Sequence, residues 1–154
     1  MTIYEQALEF IRDGETVGLG SGRASAEFIK LLGTRVQAGL RVRGVPTSRA
    51  SEQLAVSVGI PLVSLEEALP LALAVDGADE VAPNLDMIKG YGRALVREKV
   101  VAAAARKFVI LVGPGKEVPI LGARGKLPVE VVPFALPLVR RVVIGSGVSS
   151  WSWR

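Results

Sequence analysis

The chain has 154 residues, and its 19 Lys and Arg against 15 Asp and Glu give a net charge of +4. Such a length suits one ordinary domain, which buries roughly 68–70% of the surface of its unfolded chain. The sequence contains no cysteine and no histidine, which excludes disulfides, thiolate nucleophiles, Cys-based zinc sites and a Ser-His-Asp triad. Catalysis by this chain must therefore use carboxylates, lysine, tyrosine or backbone dipoles.

Charge and hydropathy predict neither a nucleic-acid partner nor a membrane partner. Arg41 and Arg43 alternate with a valine in a predicted strand, and the aromatic content of 5% leaves little capacity for base stacking. The apolar run 69–75 is far too short to span a bilayer. Glu5 and Glu9 stand where a signal peptide would carry basic residues. These features predict a cytoplasmic protein.

Helical and strand periodicities alternate along the first half of the chain. Asp13-Gly14 is expected to end the first helix, Gly33 to stop the second and Thr47-Ser48 to cap the third. In chain order, the patterns predict a helix over 3–11, a strand over 16–19, a helix over 23–32, a strand over 41–45 and a helix over 47–57.

The second half continues the alternation before it becomes rich in proline and glycine. Ser64 and Glu67 have the capping-box spacing of a short helical turn, and the apolar run 71–75 is typical of a central strand buried on both faces. Short loops between alternating elements predict an α/β fold with a doubly wound, mostly parallel, Rossmann-like sheet. The remaining predicted elements are a helix over 93–106 and strands over 108–112 and 129–132.

Ligands of open α/β sheets bind beyond the carboxyl ends of the strands, where four loops carry candidate chemistry. In the first loop, 18–25, glycines would let backbone N–H groups approach an anion at a helix N-terminus, with Arg23 adding a charged contact. The G-x-G-x-x-G motif is incomplete, because the sixth position is Arg23 or Ser25. An anion-binding loop and a tight turn without a ligand both remain open.

The second loop, 76–80, places three carboxylates within five residues directly after the buried strand. Like charges raise one another's pKa and resist burial. Such crowding is tolerated where a proton is shared or a polyol hydroxyl is held. The alternative is a solvated loop, or a helix cap provided by Asp79.

The third segment, 89–93, leads from Lys89 into the helix that carries Glu98. On a helical wheel Glu98 lies among small apolar residues, which would desolvate the acid and move its pKa towards that of a general base. Val96 and Val100 form a second apolar arc of the same helix. If that arc faces the core, Glu98 is an exposed partner of neighbouring Arg or Lys residues.

The fourth loop, 113–116, follows the predicted strand 108–112 and resembles a fragment of a P-loop. The motif fails because Ile110 stands in place of its first glycine and Glu117 follows Lys116. Lys116 is therefore either a phosphate contact or a surface lysine in a turn.

Together these segments resemble the ribose-5-phosphate isomerase A family, in which they occur in this order. The resemblance runs through nearly the whole chain to about Val143, and Asp-Gly-Ala-Asp-Glu and Arg-Glu-Lys are its specific motifs. The matching segments are 18–22, 75–80, 88–92, 94–99 and 127–131.

The resemblance implies an aldose–ketose isomerase that needs no metal and no cofactor. It would interconvert D-ribose 5-phosphate and D-ribulose 5-phosphate through an enediolate, in the non-oxidative branch of the pentose phosphate pathway. By resemblance, Glu98 is the base that carries the proton between C2 and C1. Asp76 and Asp79 hold sugar hydroxyls and assist ring opening, Lys89 binds the sugar and steadies negative charge, and Lys116 binds phosphate.

The resemblance also implies a substrate-binding set and a homodimer or higher homo-oligomer. Ser21 and Gly22 match the phosphate or sugar loop. The whole expected substrate-binding set is Ser21, Gly22, Arg23, Asp76, Gly77, Ala78, Asp79, Lys89, Gly90, Gly92 and Lys116.

Some positions depart from the family's usual pattern, which keeps a second function open. The first loop loses two hydroxyls, the glycine run after Lys89 is interrupted, and glycines replace polar residues before Lys116. The alternative function is a sugar-phosphate-binding or sensing domain with impaired catalysis. The departing residues are Arg23, Ala24, Tyr91, Arg93, Gly113 and Gly115.

The chain is shorter than is usual for the family, so the small α+β second domain is expected to be largely missing. The expected division is a Rossmann-like isomerase domain over 1–127 and the truncated start of the second domain over 128–154, with an atypical tail. Trp151 and Trp153 of that tail, with an exposed apolar sheet edge, predict self-association.

Overall fold

A computed structural model describes residues 1–148, 150 and 152 of the chain. Trp151 and Trp153 lie outside the described residues, so their contribution to self-association stays a prediction. In chain order the elements are α1 (Ile3–Leu8), β1 (Thr16–Leu19), α2 (Arg23–Gln37), β2 (Arg43–Pro46), α3 (Arg49–Ser57), α4 (Leu65–Ala68), β3 (Leu71–Gly77), β4 (Glu80–Val81), β5 (Met87–Ile88), α5 (Leu95–Ala104), β6 (Ala105–Leu111), a 3₁₀ turn (Pro133–Ala135) and α6 (Leu136–Gly145).

Within the described residues, four parallel strands form one sheet in the order β2-β1-β3-β6, and β4 pairs with β5 as a separate antiparallel ribbon. The predicted α/β fold with a mostly parallel sheet is confirmed. From β1 the chain passes to β2 on one side, and it then crosses back to β3 on the other side. The strand order therefore reverses between β1 and β3, which is where such sheets bind ligands.

The strand β3 is buried on both faces, as its continuous apolar sequence predicts. Leu73 and Val75 pack into the larger core cluster together with residues of α1, α2 and α3. Leu71 and Ala74 belong to a second cluster that includes Val101 of α5. Because α5 packs on the sheet through Val101, the residues one turn earlier in this helix lie near the carboxyl end of β3.

The helix α2 does not stop at Gly33, contrary to the prediction, and continues to Gln37. Gly33 is buried, and a Cβ at this position would overlap the side chain of Val58 at the end of α3. The glycine therefore allows two helices to approach closely, a function that leaves no local signature in the sequence.

Other predicted elements also differ from the structure: the first helix ends at Leu8 and not at residue 11, and the strand expected over 41–45 is Arg43–Pro46. The helix predicted over 93–106 spans Leu95–Ala104, and its last predicted residues belong to β6, which starts at Ala105 and not at residue 108. The strand predicted over 129–132 is wrong, because these residues form no ladder with the other described residues. The division of the chain at residues 127 and 128 stays a prediction.

The end of the described chain exposes a large apolar surface. Phe134 precedes α6 and is 96% exposed. Leu138 and Val142 within α6 are 65% and 62% exposed. Among the helices of the described residues, none combines the length and the apolar character needed to cross a bilayer.

Candidate active site

Asp76 lies at the centre of the crevice between β1 and β3 and is only 3% exposed. Its Oδ1 accepts hydrogen bonds from the backbone N–H of Ser21 (3.1 Å), the backbone N–H of Gly77 (2.7 Å) and the hydroxyl of Ser25 (3.0 Å). Its Oδ2 pairs with Lys89 Nζ at 2.9 Å. These four donors explain how a carboxylate is accommodated in the interior, and they exclude a solvated position for Asp76.

The glycine-rich loop after β1 passes directly over Asp76. A Cβ at Gly20 would overlap the carboxylate of Asp76, so only glycine fits at this position. The backbone N–H of Gly20 donates to the carbonyl of Val75 at 2.9 Å. The loop ends at Gly22, which is the N-cap of α2 and provides no side-chain cap. The first turn of α2 therefore opens towards the crevice with N–H groups that lack a side-chain acceptor.

Three hydroxyl groups connect the loops after β1 and β2. Ser21 Oγ lies 2.8 Å from Thr47 Oγ1 and 2.8 Å from Ser48 Oγ. Thr47 Oγ1 also donates to the carbonyl of Leu19 at 3.1 Å. The sequence predicts Thr47 and Ser48 only as a helix cap, and Ser48 does cap α3. Their second role depends on the pairing of β1 with β2, and no local pattern indicates it.

Lys89 lies between two buried carboxylates. Its Nζ is 2.9 Å from Asp76 Oδ2 and 3.4 Å from Glu98 Oε2, and it also donates to the carbonyl of Gly77. The side chain of Lys89 is 12% exposed, whereas those of Asp76 and Glu98 are each 4% exposed. One ammonium group therefore serves both carboxylates, away from bulk water.

Glu98 faces the core, so the two possibilities left open by the helical wheel are resolved. Its Oε2 is fully buried and accepts no hydrogen bond from the described residues, whereas Val96 and Val100 on the other arc are 53% and 48% exposed. Burial raises the pKa of Glu98, the nearby charge of Asp76 raises it further, and Lys89 opposes the increase. This environment is typical of a carboxylate that acts as a general base.

The other two carboxylates of the 76–80 loop organise neighbouring loops. Asp79 is half-buried, and its Oδ2 accepts the backbone N–H of Tyr91 at 3.1 Å, which ties it to the Lys89 loop. Glu80 is 1% exposed and accepts the backbone N–H groups of Gly122 (2.6 Å) and Arg124 (2.8 Å). Asp79 does not cap a helix, and Glu80 is not a solvated residue.

The loop after β6 also contacts the 76–80 loop, through Lys116. Lys116 is half-buried, and its Nζ donates to the carbonyl of Ala78. Gly77 and Ala78 therefore contact the two lysines through their backbone carbonyls. Lys116 is therefore held beside the 76–80 loop, and its assignment as a phosphate contact stays a prediction.

The remaining expected site residues lie at the rim of the crevice. Arg23 is the exposed first residue of α2, and its side chain has no hydrogen-bond or ion-pair partner among the described residues. Gly90 adopts a φ of +116°, and a Cβ there would come within 3.2 Å of Pro128. Gly92 is exposed. The structure thus brings Ser21, Asp76, Lys89 and Glu98 together and leaves Arg23 and Gly92 on the surface.

A narrow crevice with about 140 Å³ of empty space lies between the loop after β1, Asp76 and Glu98. A larger groove, with about 1000 Å³ of empty space by the same measure, is lined by Val96, Val100 and Leu65. None of the expected site residues lines the larger groove. Within the described residues, no three carboxylates are arranged to hold a metal ion.

The strand order defines a doubly wound α/β protein, and the paired charges of Asp76, Lys89 and Glu98 lie at its switch point. The ribose-5-phosphate isomerase A of Bradyrhizobium diazoefficiens is 50% identical over 138 residues, which are 90% of this chain and 57% of that protein. The protein of the same name from Bartonella quintana is 49% identical, with 90% of this chain and 58% of that protein covered.

Solved structures agree with these relatives. Ribose 5-phosphate isomerase A of Methanocaldococcus jannaschii superimposes with a TM-score of 0.89 and 40% identity, over 95% of this chain and 65% of that chain. A D-ribose-5-phosphate isomerase in complex with phospho-erythronic acid has a TM-score of 0.87 and 41% identity, over 92% of this chain and 63% of that one.

The family model of ribose 5-phosphate isomerase A (phosphoriboisomerase A) matches residues 43–154. The chain therefore belongs to the ribose 5-phosphate isomerase A family. The match extends beyond Val143, where the sequence resemblance was expected to end. The chain spans about three fifths of the length of the curated relatives it matches, as their coverage of 57% and 58% shows.

Proposed function

We propose that the chain interconverts D-ribose 5-phosphate and D-ribulose 5-phosphate. The observation that carries the proposal is the buried Lys89 ammonium between the carboxylates of Asp76 and Glu98, at 2.9 and 3.4 Å. Aldose–ketose isomerisation needs a base for a proton next to a carbonyl and a positive group for the oxyanion that forms. Its relatives in sequence and structure carry the name of this isomerase.

In the proposed mechanism Glu98 removes the proton from C2 of the open-chain sugar and returns it to C1. The raised pKa of Glu98 makes it a stronger base than an exposed glutamate. Lys89 Nζ stabilises the negative charge that develops on the enediolate oxygen, because a buried cation acts more strongly there than in water. A fixed carboxylate and ammonium of this kind need no cofactor.

Asp76 and Asp79 are proposed to hold the sugar hydroxyls and to assist ring opening. Asp76 is rigid, since four donors surround its carboxylate. Asp79 is more accessible at the edge of the crevice, and among the described residues its carboxylate accepts a single hydrogen bond, from the backbone N–H of Tyr91. A hydroxyl-binding carboxylate of this type orients the substrate for the proton transfer.

The phosphate group is proposed to lie at the N-terminus of α2. Ser21 and Gly22 lead into this 15-residue helix, whose first turn has no side-chain cap, and free N–H groups with a favourable helix dipole attract anions. Arg23 and Lys116 are the cations at the two sides of the crevice. We propose that Arg23 takes the place of the hydroxyls that the loop lacks.

The proposal extends to location and assembly, namely a cytoplasmic protein that forms a homodimer or higher homo-oligomer. The exposed apolar side chains of Phe134, Leu138 and Val142 support self-association, since contiguous apolar surface of this kind is usually covered. The bound partner is a small sugar phosphate.

A turnover assay combined with calorimetry tests the proposed function. Ribose 5-phosphate is added to the chain, ketose formation is followed over time, and binding of the same sugar is measured separately. Formation of ribulose 5-phosphate above the uncatalysed rate supports the isomerase. Binding without ketose formation contradicts it and favours the sugar-phosphate sensor.

Arg23→Ala is expected to weaken binding of the sugar phosphate by about 1.5–3 kcal/mol, the value of a hydrogen bond to a charged group. Calorimetry with ribose 5-phosphate and with unphosphorylated ribose measures the effect, and only the phosphorylated sugar should respond. The matched control is Arg35→Ala, which removes the same charge from the last turn of α2. Equal losses for both sugars would show that Arg23 does not contact the phosphate.

A further inference from the structure

Glu130 lies outside the four candidate loops but contacts the helix that carries Glu98. Its Oε2 accepts the backbone N–H of Val96 at 2.8 Å, across a separation of 34 residues. Val96 is the second residue of α5. The contact therefore has the geometry of a helix cap, with the acceptor supplied by a distant part of the chain.

The helix α5 has no side-chain cap from its own flanking residues. Its N-cap is Ala94, whose side chain cannot accept a hydrogen bond. The helices α1, α3 and α4, in contrast, are capped by the neighbouring Thr2, Ser48 and Ser64. The start of α5 therefore depends on Glu130 as its side-chain acceptor among the described residues.

The segment around Glu130 also contacts the loop that carries Lys89. Tyr91 Oη donates to the carbonyl of Lys126 at 2.5 Å. Pro128 lies close enough to Gly90 that a Cβ on this glycine would be 3.2 Å away. Residues 126–130 therefore contact both the loop that carries Lys89 and the helix that carries Glu98.

We infer that Glu130 is a positioning residue, which holds the first turn of α5 so that Glu98 stays beside Lys89. Glu98 follows Val96 by two residues, and its own N–H donates to the carbonyl of Ala94 at 2.9 Å. The Oε2 of Glu98 accepts no hydrogen bond from the described residues and lies 3.4 Å from Lys89 Nζ, so its location depends on the helix and on this ion pair. This role rests on the proposed function, in which Glu98 transfers the proton.

The pKa of Glu98 can be measured to test this role, and the measurement does not require that the chain turn over a substrate. The charged groups that influence Glu98 are Asp76 from β3, Asp79 from the following loop, and Lys89. If the first turn of α5 loosens, water reaches the carboxylate and the main cause of its raised pKa is weakened.

The test compares Glu130→Ala with Glu130→Gln in the full chain, because glutamine keeps an oxygen acceptor and loses only the charge. Carbon NMR of labelled glutamate carboxyls measures the pKa of Glu98. We expect the alanine variant to lower this pKa more than the glutamine variant does. In turnover assays with ribose 5-phosphate, kcat of the alanine variant should fall by about 10- to 100-fold, as for a slightly misplaced base, with little change in KM. Glutamine should restore most of kcat.

The matched control is Glu27→Ala, which removes an exposed carboxylate paired with Lys30 on the surface of α2. This variant should leave the pKa of Glu98 and kcat unchanged. An equal pKa of Glu98 in the alanine and glutamine variants would overturn the positioning role. If the wild-type chain does not turn over ribose 5-phosphate, the proposed function fails, and the pKa comparison still decides whether Glu130 holds Glu98.

Discussion

Replacement of Glu98 by glutamine is expected to slow proton exchange at C2 of ribose 5-phosphate by at least about 10²- to 10⁴-fold, the usual contribution of a general base. Glutamine keeps the size and the hydrogen-bonding reach of glutamate but cannot accept the proton. Affinity for the sugar should stay near that of the wild type, because the proposed phosphate and hydroxyl contacts involve other residues. Deuterium incorporation from solvent, combined with calorimetry, measures both quantities.

The pH dependence of the same exchange provides a second check on Glu98. The base must be deprotonated, so the rate should fall as the pH is lowered through the pKa of Glu98. Because burial raises this pKa, the decrease should begin at a higher pH than for an ordinary glutamate. Glu9→Gln, at an exposed position after α1, is the control and should not affect the rate. Equal incorporation in wild type and Glu98→Gln would end the assignment of Glu98 as the base.

The features that the sequence predicts well depend on local patterns or on the rules of parallel sheets. The apolar run at the start of β3 indicates a strand buried on both faces, which the structure confirms. Asp76 follows this run, and the carboxyl ends of parallel strands share one edge, so the crevice beside the glycine-rich loop could be predicted. The location of Lys116 next to the 76–80 loop follows from the same rule.

The orientation of α5 is a different case, since its helical wheel has two apolar arcs. Val101 points to the sheet, whereas Val96 and Val100 line a groove. Only the packing of α5 against Ala74 of β3 decides between them. The sequence therefore predicts two possible environments for Glu98, a buried base or an exposed residue, and it cannot decide between them.

Contacts between distant segments lie beyond what the sequence could predict. Gly33 resembles a helix stop until the approach of Val58 is known. Ser21 meets Thr47 only because β1 and β2 pair in parallel. Glu130 lies in an apolar stretch that predicts a strand, yet it caps a helix that begins 35 residues earlier, at Leu95. In each case the deciding partner lies in another element of the fold.

Lys89→Met is expected to have the largest effect on stability, a loss of about 3–5 kcal/mol at neutral pH, as when one partner of a buried ion pair is removed. The carboxylates of Asp76 and Glu98 are each 4% exposed and would lose the cation that they share. The isomerisation rate should also fall by about 10²- to 10³-fold, because the enediolate loses its positive partner. Urea denaturation and the ribose 5-phosphate assay measure the two effects.

The sign of the pH dependence identifies the cause of this loss. Lys89 lowers the pKa of Glu98, so its removal raises the pKa of Glu98 further above the value in the unfolded chain. A group whose pKa is raised by folding stabilises the protein below its unfolded pKa, and this contribution is lost as the pH rises through the folded pKa. The stability deficit of Lys89→Met should therefore shrink as the pH falls.

Lys30→Met is the control, since Lys30 is 54% exposed and pairs with Glu27 on the surface, where such a pair contributes about 0–1 kcal/mol. Similar losses in both variants, or a deficit that does not change with pH, would contradict a buried charge cluster at Lys89.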